Sequence, residues 1–235
     1  SEMCIRDSRM EGIVPTVYPH EIIDWNEQHV GEVDKLPGIH SEEQFAAWLK
    51  VYNRNVDKWE AMNVADSVEL AHYGVHNDGE TPGTDGWTFY LWNDIDCKDM
   101  KPDANGAFVK ALTEGVTFDG KGYVLHNLML DFEHTAPSSG RVGLIGEIRG
   151  GRLRNLHLDF VTVRNMDVDT PSGCIAGRIS SGQIFDCTVR EAKMMCRGGV
   201  AGVLAGEMSG GDMAGCKFHG MVQAKDCLLY TSDAA

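Results

Sequence analysis

Gly143-Leu144-Ile145-Gly146-Glu147-Ile148-Arg149-Gly150-Gly151-Arg152-Leu153-Arg154-Asn155-Leu156-His157-Leu158 decides the fold, because its chemistry comes back twice. With Gly146, Gly177 and Gly206 as anchors, Ile148, Ile179 and Met208 stand two residues on, and Gly151, Gly182 and Gly211 five on. Leu153, Ile184 and Met213 follow at seven, Leu156, Cys187 and Cys216 at ten, and Leu158, Val189 and Phe218 at twelve. The anchors lie 31 and 29 residues apart, and a fixed period of that length is the mark of a repeat architecture. Each apolar group is short and punctuated by Gly, Asn or Asp. Positions ten and twelve share a face, as strand alternation requires. Position seven has the other parity, so a bend falls between them. Asn155, Asp186 and Gly215 occupy that bend, and all three residue types tolerate a left-handed or turn backbone. Short strands, fixed turns and a period near 30 describe a parallel β-solenoid, whose coils stack ~4.8 Å apart and align equivalent residues into ladders. An antiparallel sandwich would not hold five positions in register over three copies.

Working upstream, Leu125-His126-Asn127-Leu128-Met129-Leu130 matches Leu153 to Leu158 and sets an earlier anchor at Phe118, 28 residues before Gly146. The sequence therefore predicts a mainly all-β chain, a parallel β-helix of about four coils of 28–31 residues over 118–226. Its inward ladders are expected to be Leu128, Leu156, Cys187 and Cys216, and beside them Leu130, Leu158, Val189 and Phe218. Before the coils, Ser41-Glu42-Glu43-Gln44 is a capping box. Phe45, Trp48, Leu49 and Tyr52 then follow at the spacing of one apolar helix face. A solenoid exposes core side chains and unpaired strand edges at its ends. A helix over about 42–53 is suited to cover one of them, so 41–117 is expected to hold an N-terminal cap helix and an opening coil. Residues 74–86 are rich in Gly, Pro, Asn and Asp and predict an exposed loop, with an aromatic strand over 87–92.

The chain has 235 residues, 21 basic and 35 acidic, for a net charge of −14. That balance excludes general affinity for nucleic acid or anionic membrane. No apolar run approaches the ~18 residues of a membrane span, so no membrane insertion is expected. Residues 9–40 hold Pro15, Pro19 and Pro37 with weak periodicity and suggest a linker or the tail of a preceding domain. The two ends point elsewhere. Met3 to Ser8 and Cys227 to Thr231 are encoded by one short DNA string in opposite senses, so 1–8 and 227–235 resemble translated sequencing-adapter ends. On that expectation the chain is a metagenomic fragment, with further domains of the same chain on either side.

Gly143-Leu144-Ile145-Gly146 followed by Gly150-Gly151-Arg152-Leu153-Arg154-Asn155-Leu156 resembles the GLUG repeat of large bacterial surface proteins, among them adhesin-like proteins and regions of IgA-cleaving metallopeptidases. Phe89-Tyr90-Leu91-Trp92-Asn93-Asp94-Ile95-Asp96 resembles the opening coil that precedes such repeats. Phe118-Asp119-Gly120-Lys121-Gly122-Tyr123 resembles the turn into the first full coil. The likeness covers about 41–222. The later repeats depart from it at Cys174, Ala176, Val203 and Ala205, where glycine or a large apolar residue is usual. The resemblance implies a bacterial, extracellular or cell-surface chain that binds or displays, with a glycan or a host or cell-surface protein as partner. Two alternatives stay open: a carbohydrate-active β-helix enzyme domain, or a passive stalk of a larger surface peptidase.

Reactive chemistry is sparse. His20-Glu21-Ile22-Ile23-Asp24 begins like a zinc-peptidase helix but lacks the second histidine. No P-loop, G-x-S-x-G or paired C-x-x-C occurs. Neither a catalytic residue, a metal nor a cofactor is expected. The five internal cysteines, Cys97, Cys174, Cys187, Cys196 and Cys216, are expected as free thiols. Residues on adjacent rungs keep their Cβ atoms ~4.8 Å apart, too far for a relaxed disulfide. The candidate binding residues are the thirteen position, Asp131, Asp159, Arg190 and His219, expected as one outward line. Asp131 beside Asp159 would suit Ca²⁺ or acid–base chemistry, and Asp159 with Arg190 a plain cross-strand ion pair. Glu133, His134, Asp167 and Asp169, on the loops 132–141 and 164–172, form a second shallow candidate for a metal or glycan. Asp94 and Asp96 are expected in turn or capping roles. Trp87, Phe89 and Leu91 alternate with Trp92, so one set is core and neither proves a glycan platform.

Overall fold

The fold is a parallel β-solenoid of about four turns with a helical cap at its N-terminal end, described by a computed structural model. The structure describes residues 36–76, 86–132, 134, 136–137, 140–167, 169–197, 200–225 and 228–230, with backbone alone for 197, 221–225 and 228–230. The segments read as adapter ends, apart from 228–230, together with 9–35, 77–85 and Glu133, lie outside the described residues.

Helix α1 (Glu42–Asn55) starts where the capping box places it: Ser41 Oγ accepts from the Gln44 amide at 3.3 Å. The Gln44 side chain in turn accepts the His40 amide at 2.7 Å. Phe45, Trp48, Val51 and Tyr52 form its buried face. A 3-10 turn, Trp59–Ala61, leads to α2 (Val64–Leu70). Asp66 of α2 receives Arg54 and Asn55 of α1, which locks the two helices together.

The strands follow in layers. β1 (Gly74–His76) lies antiparallel on β2 (Trp87–Tyr90), and β3 (Ile95–Asp96) and β4 (Ala107–Thr113) complete the opening coil. β5 (Thr117–Asp119), β6 (Val124–His126), β7 (Met129–Phe132) and the first half of β8 (Gly143–Arg154) make the next. The rest of β8, β9 (His157–Asp159), β10 (Thr162–Asn165) and the start of β11 (Ala176–Phe185) make the third. The rest of β11, β12 (Thr188–Arg197), β13 (Val200–Gly202) and β14 (Ala205–Met208) make the fourth. β15 (Asp212–Ala214), β16 (Lys217–Lys225) and β17 (Leu228–Tyr230) open a further layer. β17 pairs with β13, so part of the segment read as adapter-derived adds to a ladder. Backbone pairing at an open edge is indifferent to side-chain origin.

The two, seven and twelve positions of the three-copy repeat hold in register: Ile148–Ile179–Met208, Leu153–Ile184–Met213 and Leu158–Val189–Phe218 stack as expected, with a local irregularity around Gly182. The bend residues have the left-handed backbone, with φ of 52° at Asn155, 50° at Asp186 and 65° at Gly215. The anchors are glycine for want of room: a Cβ on Gly177 would lie 2.8 Å from the Val142 nitrogen.

The earlier copy stands elsewhere. Phe118 pairs with Leu153, not with the Gly146 level, and Leu125 pairs with Leu158. Phe118 and Leu153 are thus 35 residues apart, beyond the expected 28–31. The ladders become Ile95–Leu125–Leu158–Val189–Phe218 and, on the next strand, Leu130–Val163–Met194. Leu128 leaves the ladder of Leu156, Cys187 and Cys216, where Tyr123 takes its place: the His157 amide donates to Tyr123 O at 3.1 Å. The cause is a second left-handed corner in each coil. Asn127 (58°), Phe160 (55°) and Glu191 (49°) occupy it. Both corners need the order inward, outward, left-handed, inward, so Leu125-His126-Asn127-Leu128 imitates Leu153-Arg154-Asn155-Leu156 from a different corner.

One apolar core runs from α1 through the coils. Trp48 packs its ring against Phe89 at 5.4 Å and Phe118 at 5.1 Å, plugging the solenoid's open end. All five internal cysteines are free thiols. Both aromatic sets of the 87–92 strand are buried: Phe89 and Leu91 in the core, Tyr90 and Trp92 in a smaller cluster with Leu36 and Val75.

Candidate binding surface

The outward row beside the Leu158 ladder contains Asp96, His126, Asp159, Arg190 and His219, in that order along the rod. Three of the four candidates, Asp159, Arg190 and His219, therefore line up as the repeat requires. Asp131 does not join them. It lies on β7, pairs in register with Arg164 of β10, and accepts from that guanidinium at 3.1 Å. The displaced register of the first copy carried Asp131 to the wrong side of a corner, and with it goes the Asp131–Asp159 carboxylate pair.

His126 takes the rung next to Asp159 instead. Asp159 accepts from Arg190 at 3.2 Å, the cross-strand pair. Burial, with Arg190 nearby, holds the His157 imidazole below its usual pKa, so this neighbour is neutral near pH 7. The acids upstream serve the backbone. Asp94 accepts the Val124 amide at 2.8 Å, and Asp96 accepts the Lys98 amide and the Asn127 side chain. The Asn127 hydrogen bond, aided by Lys98, holds the Asp96 carboxyl below the usual range.

The loop candidate divides similarly. Asp167 caps its own loop, accepting from Thr170 Oγ1 at 2.6 Å and from the Asp169 amide at 3.2 Å. His134 is exposed. Among the described residues no three His, Cys, Asp or Glu side chains converge as a metal site. Burial pushes the thiols of Cys97 and Cys174 up to about 12, and Cys187 well above its ordinary value, whereas a hydrogen bond with Cys187 holds the half-buried Cys216 below its own.

A more elaborate charge constellation joins the Phe118–Tyr123 turn to the Arg154-Asn155 corner of the repeat. Asp119, fully buried, accepts from the Lys121 amide (2.9 Å), Asn155 (3.1 Å) and Arg154 (3.0 Å). Lys121 Nζ lies 3.4 Å from the same carboxylate and 5.1 Å from the centre of the Tyr90 ring. This cluster fixes the Phe118–Tyr123 turn onto the coil below. Burial lowers the Lys121 pKa, but the amine is 1% exposed and no substrate reaches it.

Compared with protein-family models, curated sequences and solved structures, the chain matches none.

Proposed function

We propose that this chain is a non-catalytic, rigid β-helical segment of a bacterial secreted or cell-surface protein of the adhesin-like, GLUG-repeat kind, and that it binds or displays. The observation that carries this is the state of its outward charges. Asp159 with Arg190, Asp131 with Arg164 and Arg178 with Glu207 are neutralised sideways along flat ladders. Hydrolysis of a glycosidic bond needs two carboxyl groups converging on one bond. Here each acid of the central row faces a base or a backbone amide. Rod geometry supports the same assignment, since stacked coils hold surface groups at fixed spacing with little conformational entropy left to lose on binding. Among the described residues no helix is long and apolar enough to cross a membrane, in keeping with a segment that works outside the bilayer.

The test is product release from neutral and acidic polysaccharides by the purified full chain, beside its adhesion to immobilised glycans and cell-surface proteins. Adhesion without product release is expected. Product release lost in Asp159→Asn would replace binding with catalysis.

A further inference from the structure

The cap does more than close the rod. Its helix ends at Asn55, and the Trp59–Ala61 turn that follows lies beside β4, to which Trp59 is hydrogen-bonded. Between them lies a groove of about 730 Å³, lined by Val56, Asp57, Trp59, Thr113, Glu114 and Arg149 among others. That volume falls within the ~300–1,000 Å³ usual for ligand sites. A second hollow of about 130 Å³ continues it along the sheet past Lys110, Asn105 and Glu147. The two share Asp57 and Arg149, so the depression is elongated.

We propose that this groove binds a neutral, linear oligosaccharide. The inference rests on the binding function proposed above and names its ligand class.

The aromatic wall is set in advance. Trp59 is half-buried, its Nε1 donates to Thr113 Oγ1 at 3.0 Å, and its ring meets Tyr52 edge-on at 5.5 Å. A fixed indole offers an apolar face to the C–H side of a sugar at little entropic cost. Two residues before it, Asp57 accepts from both Lys110 and Arg149, and all three side chains remain about 40% exposed. A carboxylate has about four acceptor sites and a guanidinium five donors. The ion-paired groups therefore keep capacity for vicinal hydroxyls.

Charge selects for neutrality. Asp57, Glu60, Glu114 and Glu147 are balanced by Lys58, Lys110, Arg141 and Arg149 around the two hollows, although the chain as a whole carries −14. An extended peptide would need an open strand edge. The β4 edge is taken: Asn53 accepts the Lys110 amide at 2.8 Å and donates to Phe108 O at 2.7 Å, and Tyr52 donates to Ala111 O at 2.8 Å.

The experiment is isothermal titration of the full chain with cello-, malto-, manno- and xylo-pentaose, with an oligogalacturonate and an unrelated extended peptide as contrasts, followed by a neutral-glycan array. Saturable binding of at least one neutral probe is expected, weakened ~tenfold or more by Trp59→Ala. Arg149→Gln, a surface change that spares the fold, is expected to weaken it several-fold. Trp59→Phe is expected to retain most of the affinity. No neutral probe bound, preference for the acidic probe or the peptide, or binding indifferent to both Trp59→Ala and Arg149→Gln overturns the proposal. Adhesion that survives both substitutions removes the groove but keeps the binding function. Cleavage of a bound probe removes that function and keeps the groove.

Discussion

The two ends of the rod receive the same kind of strand and treat it differently. At the N-terminal end Phe89 and Ile95 are fully buried, covered by Trp48 and the rest of α1. At the other end Met213, Cys216 and Phe218 hold equivalent ladder positions yet are only half-buried, and Met208 is 49% exposed. Residue type does not account for this, because a phenylalanine stands at each end. What differs is the layer above. An inward side chain in a solenoid is closed by its neighbours along the rod as much as by those across it. The cap also treats the backbone: Asn53 and Tyr52 occupy the outer edge of β4, and Ile39 exchanges hydrogen bonds with Tyr90 and Trp92 beside β2. A strand edge so occupied cannot recruit another strand.

That contrast is open to attack. The largest effect is expected for Leu156→Asp in the middle of the rod, where both neighbouring layers are present and the side chain is 1% exposed. Burying an unpaired charge there should cost on the order of 3 kcal/mol or more in denaturant unfolding. Phe218→Asp, at the half-buried end, should cost less than half as much, and equal losses would break the comparison. Trp48→Ala removes the plug of the closed end and should cost about 3–5 kcal/mol by the same assay. Asn53→Ala removes one half-exposed acceptor and one donor from the β4 edge, for roughly 0.5–1.5 kcal/mol, and hydrogen exchange at the Lys110 amide should quicken with it.

The cap should also be the acid-sensitive end. Hydrogen bonds from Arg54 and then Asn55 lower the Asp66 carboxyl from its ordinary 3.8 to about 2. A depressed folded-state pKa means the stabilisation is complete above the unfolded value. It is lost as pH falls through the folded one, here between about pH 4 and pH 2. Melting temperature followed over that window should drop less steeply for Asp66→Asn than for the natural chain. The smallest effect is expected for Arg190→Ala on the flat face, within about 1 kcal/mol, since Arg190 is half exposed and such pairs contribute little.

Much of this was legible in the chain. Five repeated positions over three copies set the architecture, and the bends at Asn155, Asp186 and Gly215 could be named from residue type alone. The capping box located α1 to the residue at its start. The first copy was misplaced because a left-handed Asn flanked by leucines serves at either of two corners, and a local motif does not say which. Asp131 inherited that error and left the row of Asp159, Arg190 and His219. The groove gave no signal. Trp59 belongs to a stretch without periodicity, and Asp57 and Arg149 are separated by 92 residues.

The sequence by itself determined the coil, because turn chemistry and alternation act over a few residues and repeat themselves. It also determined the cap helix, whose start and apolar face are local. Only the tertiary structure decided which rung meets which, and so which charges become partners. Rung register depends on the length of every intervening turn: the two extra residues between Phe118 and Leu125, relative to Leu153 and Leu158, move the outward row of that coil. Burial at the two ends was decided there too, since stacking is a contact between residues about thirty positions apart that no local pattern contains.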